Sequence, residues 1–145
     1  MAAESPTSDW RNHGILLAFV DGFSIQNLTI RDSHCWAISL ERCSHGTVRD
    51  VDFASTGSKT IDGVQQTIVN QDGLDLRMGC HDILIENITG HVGDDLVALT
   101  AIPFADHAAG ALVTHMATDA KNRGAGQDDI RNVIIRNVHG YSRGG

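Results

Sequence analysis

Residues 70–76 (NQDGLDL) and residues 93–99 (GDDLVAL) are the two stretches of this chain that decide its fold. Each begins with acidic residues and continues with apolar residues at every second position, which is the pattern of a half-buried strand. A shift of 23 residues superposes them and pairs Asp72 with Asp95, Leu74 with Val97 and Leu76 with Leu99. Two strands with the same pattern at this distance predict one structural repeat.

A second pattern recurs along the chain, in residues 23–28, 83–88 and 133–138, with a weaker copy in residues 46–51. Each copy alternates apolar and polar residues and carries Asn or Asp at the same place. Strands that recur at a period of 20–50 residues indicate a solenoid, and the alternation excludes helical repeats. We therefore predict a parallel β-helix. The repeated polar positions are Asn27, Asp50, Asn87 and Asn137.

The repeat also predicts which side chains stack from one coil to the next. The residues two places before the repeated Asn or Asp are expected to form one interior stack: Ile25, Val48, Ile85 and Ile135. The Asn side chains are expected to form a ladder in which each amide bonds to its neighbour. About five coils follow from the number of repeats. Residues 54–69 interrupt the period and predict a surface loop.

Length and charge limit the class of protein. A chain of 145 residues has room for one domain, which we assign to residues 1–145. Its net charge of −7 argues against nucleic acid as a partner. No apolar run is long enough to cross a membrane, and residues 1–8 lack the apolar run of a signal peptide, so the localisation stays open.

The cysteines, at positions 35, 43 and 80, are an odd number without the spacing of a metal site. We expect free, partly buried thiols, no metal and no cofactor. No pattern that would close the solenoid follows Val138. Because open coil ends leave backbone groups unpaired, we expect a segment of a longer solenoid, incomplete at its C-terminus, or an oligomer that covers the end.

The acidic residues are the candidate chemical groups. Stacking predicts that Asp72 and Asp95 lie about 5 Å apart, one strand spacing. Crowded carboxyl groups cannot all ionise at their ordinary pKa values, so one of them is expected to keep a proton. Acids at strand starts also satisfy turn amides, which is the structural alternative. Asp75 and Arg77 are expected on a solvated face.

Residues 70–73 and 93–95 resemble the Asn-Thr-Asp and Asp-Asp motifs of glycoside hydrolase family 28, the polygalacturonases. The resemblance implies a right-handed parallel β-helix that hydrolyses a polysaccharide, of the pectin type or another. It also implies that Asp94 is the general acid, that Asp72 and Asp95 hold and activate the attacking water, and that the anomeric centre is inverted.

Two motifs of the family have no clear counterpart. Where the family carries Gly-His-Gly, this chain has His115, 21 residues after Asp94, with different neighbours. The Arg-Ile-Lys motif that binds the substrate carboxylate in the family has no counterpart in this sequence. We expect either that it lies beyond Gly145 or that Arg136 or Arg143 replaces it. His91 is a further candidate for substrate binding.

Two other functions remain open at this point. One is a calcium-dependent polysaccharide lyase, in which clustered Asp residues hold the metal. The other is a non-catalytic solenoid that binds carbohydrate or has a structural role, which the missing motifs favour.

Overall fold

The computed structural model describes residues 13–68, 70–101 and 128–143. This part of the chain is all-β, with ten strands and no helix. The strands are β1 Ile15–Ala18, β2 Asp21–Arg31, β3 Ile38–Glu41, β4 Ser44–Ala54, β5 Ser58–Ile61, β6 Val64–Thr67, β7 Leu74–Arg77, β8 His81–Val92, β9 Val97–Thr100 and β10 Arg131–Ser142.

Eight of the described strands form two parallel sheets. The short strands lie in the order β1-β3-β7-β9, and the long strands in the order β2-β4-β8-β10. Along the chain a short strand is followed by a long one in the pairs β1–β2, β3–β4 and β7–β8. The chain therefore passes from one sheet to the other and back. The alternating apolar pattern thus builds parallel sheets, as the sequence predicts.

The register of both sheets follows the repeat. In the short sheet Leu74 pairs with Val97 and Leu76 with Leu99, which confirms the 23-residue shift. In the long sheet Ile25 pairs with Val48, Val48 with Ile85, and Ile85 with Ile135. The repeat therefore sets the pairing of neighbouring strands.

Side chains from both sheets meet in one apolar core. Ile38 and Leu74 contribute from the short strands, and Val48 and Ile85 from the long strands. The predicted interior stack is confirmed for Ile25, Val48 and Ile85, which are buried. It is wrong for its last member, because Ile135 is 40% exposed. Ile135 lies on β10, an end strand of its sheet within the described part of the chain.

The repeated Asn and Asp residues bend the long strands. Asn27, Asp50, Asn87 and Asn137 have φ between 54° and 58°. Asn and Asp tolerate this left-handed conformation better than other residues with a Cβ. The Asn87 amide donates to Asp50 Oδ1 at 2.9 Å, and the Asn137 amide donates to Asn87 Oδ1 at 3.1 Å. These two bonds confirm the predicted ladder for Asp50, Asn87 and Asn137.

The insertion at residues 54–69 contains a β-hairpin where the sequence analysis predicted a loop. β5 and β6 pair antiparallel, with Ile61 opposite Val64. Asp62 and Gly63 connect them with φ of 50° and 77°. Positive φ at both central residues defines a type I′ turn, for which Asp-Gly is a preferred sequence. The Asp-Gly pair was therefore an available signal for the hairpin.

Cys35, Cys43 and Cys80 are buried thiols, covered more completely than the partly buried thiols that the sequence predicts. Within residues 13–68, 70–101 and 128–143 the structure has no helix with the length and apolarity to span a membrane.

Candidate active site

The candidate acids lie just before two neighbouring strands of the short sheet. Asp72 lies two residues before β7, and Asp95 lies two residues before β9. The backbone pairing continues up to them, since the Gly73 amide donates to the carbonyl of Asp95 at 2.9 Å. Asp72 and Asp95 therefore occupy equivalent places on adjacent strands, as the 23-residue shift predicts.

Glycine next to the acids lets the backbone segments approach closely. A Cβ at Gly73 would lie 2.6 Å from the carbonyl oxygen of Leu96, and a Cβ at Gly93 would lie 2.7 Å from the Cα of Gly57. Both distances are shorter than side-chain atoms tolerate. The glycines that follow Asp72 and precede Asp94 are thus required by the packing of the segments that carry the acids.

A cleft of about 620 Å³ opens beside Asp94. Asp94 is half-buried on its wall, and the β5–β6 hairpin forms another part of the lining. Polar, uncharged side chains dominate the hairpin side. A carboxyl group at the edge of an open polar cleft can reach a bound saccharide. The lining residues are Gly57, Ser58, Gln65, Gln66, Thr67, Ile68, Asn70, Gly93, Asp94 and Arg143.

The environment of the acids favours retention of protons. Partial burial, followed by the charge of Asp95, raises the pKa of Asp94. Burial also raises the pKa of Asp72 to about 9, with further contributions from the negative charges of Asp75, Asp94 and Asp95. The crowding of the acids predicts that one carboxyl group keeps a proton. The largest rise in pKa among these acids is that of Asp72.

The expectation that Asp75 and Arg77 lie on a solvated face is wrong. Each residue is only 1% exposed. All four residues of β7 are buried, so the polar positions of its alternating pattern do not face solvent. The guanidinium carbon of Arg77 lies 4.2 Å from the ring centroid of Trp36, which covers it. The alternation of apolar and polar residues along one strand does not indicate whether a residue from another segment covers that strand.

Gln71 is a further residue of the site that sequence reasoning did not single out. It is fully buried. Its Nε2 donates to the carbonyl oxygen of Ser33 at 2.6 Å, and its Oε1 accepts from the Gly57 amide at 2.6 Å. Its own carbonyl oxygen accepts from the Gly93 amide at 3.1 Å. Gln71 therefore joins the base of the hairpin to the turn that carries Asp94.

Replacement of Gln71 by Leu is expected to destabilise the protein by about 1–3 kcal/mol, because a buried amide and a buried carbonyl lose their partner. Urea-induced unfolding followed by circular dichroism measures the change. Gln65→Leu, an exposed substitution on the hairpin, serves as the control and should stay within about 0.5 kcal/mol of the parent. Equal stability of the two variants would contradict the bridging role of Gln71.

The predicted substrate-binding residues are distributed over different parts of the structure. Arg143 lines the same cleft as Asp94, and its Nη1 donates to the carbonyl oxygen of Thr56 at 3.0 Å. Arg136 lies on β10, with its Nε 2.8 Å from Oε1 of Glu86. His91 is exposed near the end of β8. Neither Arg136 nor His91 is among the described residues that line the cleft. His115 lies outside the described residues.

Among residues 13–68, 70–101 and 128–143, no group of three or more His, Cys, Asp or Glu side chains has the arrangement to hold a metal ion.

Comparison with known proteins connects this site to one family of enzymes. The family model of glycosyl hydrolases family 28 matches residues 5–104, which is more than half of the chain. The chain therefore belongs to glycosyl hydrolases family 28, the polygalacturonase family. The match includes both acidic motifs. No curated protein and no solved structure matched the chain.

Proposed function

We propose that this protein hydrolyses glycosidic bonds of a polysaccharide with inversion at the anomeric carbon. Membership of the polygalacturonase family supports a glycoside hydrolase that acts on a polysaccharide. The observation that carries the mechanism is the position of Asp94 on the wall of an open cleft, next to two further carboxyl groups on adjacent strands.

Asp94 is the general acid of this proposal. Its raised pKa favours the protonated form that an acid catalyst needs. As the bond between the anomeric carbon and the glycosidic oxygen breaks, Asp94 gives its proton to the departing oxygen. Water attacks the anomeric carbon from the opposite face and gives its proton to the Asp72–Asp95 pair. Inverting enzymes leave room for this water between the acid and the base.

The proposed substrate carries hydroxyl groups and at least one carboxylate. Amide and hydroxyl side chains on the hairpin side of the cleft suit sugar hydroxyls, and Arg143 supplies a cation beside Asp94. A local cation binds a uronate carboxylate even in a chain with a net charge of −7. A polysaccharide of the pectin type fits this combination, with Arg143 replacing the missing carboxylate-binding motif.

The proposed architecture is a single right-handed parallel β-helix of about five coils, with residues 1–145 in one domain. Two parallel sheets, between which the chain passes back and forth with a constant register, support it. The family supports it as well, since its fold is a β-helix.

Incubation of the full chain with a panel of pectic, other acidic and neutral polysaccharides tests the proposal. We expect new reducing ends from at least one acidic glycan, and NMR of the first products should show inverted anomeric configuration. Products of retained configuration would refute the inverting mechanism. Unsaturated products that absorb in the ultraviolet would identify a lyase, and binding without turnover would identify a carbohydrate-binding solenoid.

A further inference from the structure

A buried charged cluster lies directly behind the proposed catalytic site. It consists of Asp72, Asp75 and Arg77, which are 6%, 1% and 1% exposed. The proposed mechanism uses only Asp72 of the three. Buried ionisable groups are unfavourable unless they are paired, so the burial of Asp75 and Arg77 depends on the contact between them.

The cluster holds two carboxyl groups and one guanidinium group in close contact. Arg77 Nη1 lies 3.7 Å from Asp75 Oδ1, and the negative charges of Asp72 and Asp75 act on each other. Two ionised carboxylates that are buried near one another repel each other, and only one cation lies against them here. Asp72 Oδ1 and Asp75 Oδ2 are buried, without a hydrogen-bond partner in the described part of the chain, which makes ionising both groups still less favourable. One of the two groups therefore keeps a proton.

The position of Arg77 decides which carboxyl group keeps that proton. Its guanidinium group lies against Asp75 and over the ring of Trp36. A cation beside one carboxyl group favours the ionised form of that group. Burial raises the pKa of Asp75 to about 7 even though the charge of Arg77 lowers it, whereas burial and the negative charge of Asp75 both raise the pKa of Asp72.

We infer that Asp75 and Arg77 are positioning residues that hold the negative charge of the pair on Asp75, so that Asp72 presents a protonated carboxyl group beside Asp94 and Asp95. The inference rests on the proposed function for its catalytic meaning. The protonation pattern itself belongs to the folded protein and does not depend on turnover.

In this mechanism Asp72 and Asp95 have different roles. A protonated Asp72 orients the attacking water through a hydrogen bond, and Asp95, which is exposed, accepts the proton of that water. Asp72 then adds no negative charge next to Asp94. Four further titratable groups surround the cluster, from β3 with the residues before it and from the segment before β9: Cys35, Glu41, Asp94 and Asp95.

Infrared spectroscopy of protein labelled with carboxyl-¹³C aspartate tests the protonation pattern without any substrate. At neutral pH we expect a protonated aspartic acid band in the parent that disappears in Asp72→Asn. Any band of Asp94, the proposed general acid, is identified separately by its loss in Asp94→Asn. The label separates these bands from that of Glu41. A parent without such a band, or a band that persists in Asp72→Asn and disappears in Asp75→Asn, would overturn the inference.

Variants of Arg77 test its role in placing the charge. Arg77→Met should protonate Asp75 as well and add a second band, whereas Arg77→Lys should keep the pattern of the parent. Arg49→Met, at an exposed arginine of β4, is the control and should not change the spectrum. An unchanged spectrum in Arg77→Met would overturn the assigned role. If Arg77→Met does not fold, the double variant Asp75→Asn/Arg77→Met removes both charges and should keep the Asp72 band without adding another.

The pH dependence of kcat/KM distinguishes positioning from a merely structural role. Asp75→Asn removes a negative charge that raises the pKa of Asp72. If turnover needs protonated Asp72, activity in Asp75→Asn should fall at a lower pH than in the parent, in addition to the loss that ionisation of Asp94 causes in both proteins. A movement of the acidic limb alone would show that ionised Asp72 is the base. Absence of turnover in the parent, together with the expected infrared bands, would reject the proposed function and leave the protonation pattern intact.

Discussion

Replacement of Asp94 by Asn is expected to lower the rate of polysaccharide hydrolysis by about 10²–10⁴-fold, the usual contribution of a general acid. Asn keeps the shape of the side chain but has no proton of suitable acidity for the departing oxygen. Asp94 is half-buried on the cleft wall, so the fold should survive the change. Reducing-end assays on the best polysaccharide, with circular dichroism on the same samples, measure both effects.

Substrates with activated leaving groups show which step the substitution impairs. An aryl glycoside with a very good leaving group departs without a proton, so it should partly rescue Asp94→Asn. It should not rescue Asp95→Asn, the matched control, because that variant lacks the group that accepts the proton of the attacking water. Unchanged polysaccharide hydrolysis by Asp94→Asn would remove Asp94 from the mechanism.

Replacement of Ile85 by Ala is expected to destabilise the protein by about 2–5 kcal/mol, the range for large-to-small changes in a core. Ile85 has no exposed surface and lies between Val48 and Ile135 in the long sheet. Loss of its side chain leaves a cavity that rigid neighbouring strands fill only in part. Equilibrium unfolding in urea measures the change.

Ile135→Ala is the matched control for this experiment, because Ile135 occupies the same register position on β10 but is 40% exposed. Its removal should cost clearly less than that of Ile85, since much of its surface already contacts water. If Ile85→Ala changes stability by less than about 0.5 kcal/mol, the size of a surface effect, Ile85 does not belong to the core.

Much of the candidate site follows from local pattern. The register that brings Asp72 next to Asp95 depends on a 23-residue repeat and an alternation of two, and both are visible in the sequence. The cleft cannot be predicted from the repeat or from the alternation. Its lining combines the β5–β6 hairpin with Asp94 and Arg143, and these segments are far apart in sequence.

The sequence by itself determined the parallel sheets, the register of their strands and the Asn ladder, because each of these rests on a periodic signal along the chain. The family followed from the resemblance of the two acidic motifs. Only the tertiary structure decided that Asp75 and Arg77 are buried. Alternation tells on which face of a strand a side chain lies, but not whether another segment covers that face. Here Trp36 covers Arg77. In our proposal the contact between Arg77 and Asp75 sets the protonation of Asp72.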